Sequence, residues 1–134
     1  MKHKITRIAS ISFIGLSMLS ILSVSMMAFS DPQKVMDLVQ VKLTNNDAYS
    51  SIRGVFGGVG VTIVAMLLFL SKQKLSNGLW MLAILWGMYS LSRIITLAVE
   101  GPLGAFGKQW LTIETVFCII ALTLALFSKP KPSL

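Results

Sequence analysis

Residues 52–70 read IRGVFGGVGVTIVAMLLFL, a run whose only charge is Arg53 near its start. A helix rises about 1.5 Å per residue, so the run covers roughly 28 Å, close to the ~30 Å hydrocarbon core of a bilayer. Lipid offers backbone polar groups no partner, and a helix satisfies them within the segment; the run therefore reads as a membrane span. Three more blocks share this character, at about 8–29, 78–99 and 110–127. Trp110 opens the last of them as an interfacial aromatic, and Trp80 sits near the other interface of the third. The fold class that follows is all-α: a polytopic membrane protein, a bundle of four transmembrane helices forming one membrane domain over 1–134.

Composition agrees with lipid as the solvent. Of 134 residues, 54% are hydrophobic and 13% charged, where a soluble domain carries about a quarter charged. The net charge of +7 comes from basic residues scattered between apolar blocks, without a basic helix face or interleaved aromatics, so no nucleic-acid partner is expected. Cys118 is the single cysteine and His3 the single histidine, which leaves no disulfide, metal site or cofactor ligand set to expect.

The first block follows Lys2, Lys4 and Arg7 and ends in Ala28-Phe29-Ser30, which invites comparison with a cleavable signal. Its apolar run is longer than a signal core, and a retained span is the preferred reading. Its serines can bond back to their own helix.

Basic residues set the orientation. Lys2, Lys4 and Arg7, then Lys72 and Lys74, then Lys129 and Lys131 fall on one side of a four-span topology, without an acid among them. Lys34, Lys42, Arg53 and Lys108 fall on the other, mixed with Asp31, Asp37, Asp47 and Glu100. The positive-inside rule puts both termini in the cytoplasm, and for a bacterial inner membrane the longer loop is then periplasmic. In that loop Ser30 or Asp31 can cap a helix beginning at Pro32. Val35, Met36, Val39 and Leu43 extend it as a short amphipathic outer helix at about 32–44, a cover for the bundle or a lid, before Asn45-Asn46-Asp47 turns the chain back.

Charges inside the apolar blocks mark the candidate site. Arg93 lies roughly 9 Å and Glu114 roughly 6 Å below the outer ends of adjacent antiparallel helices, so they are expected to pair. Arg93 and Glu100 are seven apart and share a helix face, and Arg53 opens its span, which suggests a network of Arg53, Arg93, Glu100 and Glu114. Such a network can fix helix register, receive an anionic headgroup or small polar ligand, or support acid–base chemistry. Close helix packing is expected at Gly54 with Gly58, at Arg53, Gly57 and Gly60, and along Glu114, Cys118, Ala121 and Ala125. Trp86, Ser90, Arg93 and Leu97 form the facing seam.

The Arg53-Gly54…Gly57-Gly58 opening, Ser92-Arg93, Glu100-Gly101-Pro102 and Glu114 together resemble the small bacterial membrane proteins grouped as domain-of-unknown-function family 4345. Phe56 stands where that pattern leads one to expect tyrosine. The resemblance implies four membrane helices, a retained first span and a shared role for Arg53, Arg93, Glu100 and Glu114, and it implies no established reaction. The leading functional reading is a noncatalytic module that binds membrane lipid or another amphiphile, or packs against a membrane-protein partner. The alternatives are an enzyme acting on a lipid-like substrate through Glu114 and Arg93, and a small transporter assembled as a homo-oligomer.

Overall fold

A computed structural model describes residues 2–128. Lys129 and Lys131, part of the orientation reading, lie outside the described residues, as do the side chains of Lys2 and His3. The described chain is helical without strands. It comprises α1 (Lys2–Ser30), α2 (Pro32–Asp37), α3 (Asn46–Ile52), a π-helical turn (Arg53–Gly58), α4 (Val59–Gln73), α5 (Leu75–Val99) and α6 (Ala105–Phe127). Lys4–Ser30, Asn46–Gln73, Leu75–Val99 and Ala105–Phe127 are each long and apolar enough to cross a membrane. Four such helices make this a multi-pass membrane protein.

The chain divides into two compact units: α1 through Ile14 together with the chain from Leu70 onward, and Gly15–Phe69. In the first, α5 and α6 pack as an antiparallel pair. Phe13, Leu79, Leu82, Ala83, Trp86, Ala121 and Ala125 are buried there. The turn between the helices explains the Glu100-Gly101-Pro102 motif. Glu100 and Gly101 both donate backbone N–H groups to Thr96 O, at 2.8 and 3.2 Å. Gly101 has φ +104°, a left-handed conformation that glycine adopts without a Cβ penalty, and Pro102 then stops the helix. At the other end of α5 a half-open cavity of about 220 Å³ is lined by the start of α1, the α4–α5 junction and the end of α6.

The second unit is built on a small core of Ala28, Val35 and Met36, against which Val24, Met27, Leu43, Ile52 and Phe56 pack. The outer loop differs from the sequence expectation in two ways. Its helix ends at Asp37 instead of near residue 44. Gln33 folds the following segment back, donating to Val41 O at 2.9 Å and accepting from Leu43 N–H at 2.9 Å, and Gln40 turns the chain at φ 59°. Asn45 opens α3 rather than closing α2: its side-chain oxygen accepts from Ala48 N–H at 2.8 Å, satisfying an orphan donor of the first turn. Asp31 occupies the N-cap position of α2 without a side-chain cap bond and faces Lys34 at 3.6 Å.

Candidate functional site

The α5–α6 seam carries polar groups in register. Arg93 meets Glu114, Ser90 Oγ lies 2.7 Å from Thr115 Oγ1, the Trp86 and Phe117 rings stack edge-on at 5.2 Å, and Cys118 Sγ donates to Ala83 O at 3.4 Å. Residue numbers rise along one helix as they fall along the other, as antiparallel packing requires. Helical spacing accounts for this set: 83, 86, 90 and 93 lie on one face of α5, and 114, 117 and 118 on one face of α6 with Thr115 at its edge. Leu97, placed on the same seam from the sequence, is 46% exposed; it lies in the last turn, beyond the ion pair.

Arg93 donates from Nε to Glu114 Oε2 at 2.6 Å and from Nη2 to Oε1 at 2.8 Å. The carboxylate side chain is 3% exposed and the arginine 22%. A planar guanidinium matches a carboxylate in this two-bond geometry, and both bonds are charge-assisted. The Phe106 ring centroid lies 6.0 Å from Arg93 Cζ, within reach of a cation–π contact. Below the pair, Phe13 and Trp86 both pack on Phe117. Glu114 is thus a closed acid, with both oxygens engaged and aromatic packing beneath.

The other two residues of the expected network have different neighbours. Glu100 is exposed and forms no ion pair among the described residues. Seven residues do return to one helix face, but α5 ends at Val99, so the backbone leaves the helix at the residue in question. Arg53 donates from Nε to Phe29 O at 3.2 Å. Phe29 is in the last turn of α1, whose terminal carbonyls lack helical partners and carry the negative end of its dipole. Arg53 is a helix-end cap, a role that its position next to a glycine run did not reveal.

The glycines divide as well. A Cβ on Gly57 would lie about 3 Å from the Phe29 ring, and one on Gly60 would meet the Ser25 hydroxyl. Arg53, Gly57 and Gly60 therefore face α1. Gly54 and Gly58 have nothing within 4 Å of a Cβ position, against the expected small-xxx-small contact. The π turn over Arg53–Gly58 bonds five residues back instead of four; Arg53 and Gly57 stay on the α1 side, and Gly54 and Gly58 lie on a face that no neighbour covers. Sequence reasoning missed Gln33; a glutamine within an amphipathic segment gives no signal that it will bridge residues eight and ten positions on.

No group of three His, Cys, Asp or Glu side chains is arranged to hold a metal ion among the described residues. No curated protein and no solved structure matches the chain. A family model, the domain of unknown function DUF4345, matches residues 9–125. That match runs from within α1 to within α6 and takes in Arg53, Arg93, Glu100 and Glu114. The chain belongs to the DUF4345 family.

Proposed function

We propose that this chain is a noncatalytic module of a bacterial inner membrane, with both termini cytoplasmic, that binds lipid or another amphiphile. The observation that carries the reading is the closure of Glu114. Acid–base catalysis needs a carboxyl that can reach a substrate proton, and here each oxygen already accepts a bond from Arg93. The pair is suited to clasping α5 against α6. On the opposite side of α5, Ile84, Met88, Leu91 and Ile95 form an exposed apolar stripe, the face expected of a helix solvated by lipid. The orientation is supported by the lining of one cavity, where Arg7 and Lys74, from two of the basic segments, meet at one end of the first unit.

Mass spectrometry of gently extracted protein tests the reading, with lipid extracts compared between cells expressing wild type and Glu114→Gln. We expect retained lipid on both proteins and the same lipid species in both cells. A lipid product present with wild type and absent with a folded Glu114→Gln protein would establish the enzyme alternative instead. A lone monomer that retains no amphiphile would remove the binding role.

A further inference from the structure

The cavity at the start of α5 is not used by the Arg93–Glu114 clasp, which lies about 26 Å away along the helix, counting from Ser76 to Arg93. Its lining joins Arg7 and Lys74 with the hydroxyl residues Thr6, Ser76 and Ser128, and contains no acid. Ser76 is 7% exposed yet contributes to this wall. The acids of this unit, Glu100 and Glu114, belong to the far end.

Three sources of positive potential border this cavity, and its lining holds no acid. Arg7 and Lys74 are two. The third is the N-terminus of α5, a 25-residue helix whose N-cap, Lys74, makes no side-chain cap bond. A cation beside the positive end of a helix dipole is unfavourable by itself and becomes favourable when an anion sits between them. The volume, about 220 Å³, is below the roughly 300–1,000 Å³ of pockets that enclose drug-sized ligands, and suits a compact anion with a few waters. Phe127, 73% exposed, and Leu75 add an apolar edge where an acyl chain could begin. The cavity also lies where the apolar runs of α1, α5 and α6 end, the level at which headgroups are expected beside membrane-spanning helices.

We propose that this cavity binds a phosphate-ester anion through Arg7, Lys74 and the α5 N-terminus, its source being the headgroup of an anionic phospholipid or a free phosphate. The inference rests on the amphiphile-binding reading above and gives it a site and a ligand class.

The test uses the full chain in nanodiscs of phosphatidylcholine with added phosphatidylglycerol, followed by extraction into neutral detergent and native mass spectrometry. Wild type is expected to retain phosphatidylglycerol preferentially. A surface cation contributes about fivefold to anionic-lipid affinity, so Arg7→Gln/Lys74→Gln is expected to lose about twenty-five-fold. Lys72→Gln removes a charge from the same loop but not from the lining, and serves as the control for bulk attraction. The charge-preserving Arg7→Lys/Lys74→Arg protein, with circular dichroism on every variant, separates lost binding from lost folding. Displacement of the lipid by millimolar inorganic phosphate assigns the free anion as the source; retention assigns the headgroup. Equal retention by wild type and a folded Arg7→Gln/Lys74→Gln protein would overturn the site while leaving amphiphile binding intact. Absence of any retained lipid on wild type, with no binding of inorganic phosphate, would overturn both.

Discussion

Arg93 holds both carboxylate oxygens of Glu114, at 2.6 and 2.8 Å, across the α5–α6 seam. Both charges lie within apolar helices, where leaving either unpaired costs several kcal/mol. The two-bond geometry depends on the planar guanidinium. We expect Arg93→Lys to insert correctly but to lose about 1.5–3 kcal/mol, the worth of one charge-assisted bond. Unfolding in mixed detergent measures this; wild-type stability in the lysine protein would mean that the fork contributes nothing beyond charge.

Neighbouring glycines should respond differently to the same change. At Gly60 a methyl meets the Ser25 hydroxyl, which is buried and bonded to Ile21 O at 2.9 Å. Gly60→Ala should cost about 1–3 kcal/mol through overpacking, and Ser25→Ala in the same chain should restore part of it. Gly54→Ala meets open space and should be neutral or stabilising by up to about 1 kcal/mol. Thermal unfolding of the three proteins distinguishes the sites, and an equal loss at both glycines would contradict the packing described.

Gln33 ties the outer loop to α2 by bonds to Val41 and Leu43. Removing the side chain in Gln33→Ala should release that segment without unfolding the spans. Hydrogen exchange should accelerate at the Leu43 amide and stay unchanged in α5 and α6. Unaltered exchange at Leu43 would show that the loop holds its course by other contacts.

Orientation is open to labelling because Cys118 is the single thiol. On a Cys118→Ala background, Asp47→Cys should react with a membrane-impermeant maleimide added to spheroplasts, and Lys72→Cys should react only after lysis. The reverse pattern would invert the topology.

The spans were legible because hydrophobic length is a strong signal in lipid, and it needs no tertiary information. The Arg93–Glu114 relationship was legible for a related reason: two opposite charges at similar depth in adjacent antiparallel helices have few other ways to avoid lipid. Arg53 was not, because a helix-end carbonyl is a partner that sequence does not display. Gly54 and Gly58 share a face as their spacing suggests, but nothing in the described chain lies against that face, and spacing alone does not say which face of a helix is covered. The start of the loop helix at Pro32 was legible from its N-cap residue and proline, but its end was read from apolar spacing, whereas Gln33 and the Asn45 cap decide where that helix stops and the next one starts. The basic cavity gathers residues from three distant segments, so only the folded chain reveals it.

A double-mutant cycle on Arg93 and Glu114 tests the clasp most directly. Arg93→Met alone and Glu114→Leu alone each leave a buried charge without its partner and should lose about 3–5 kcal/mol. Arg93→Met with Glu114→Leu replaces the pair by apolar volume and should recover most of that stability, while retaining lipid as wild type does. A folded Arg93→Met/Glu114→Leu protein that has lost lipid retention, or a lipid conversion seen only with Glu114, would contradict a structural role for the pair.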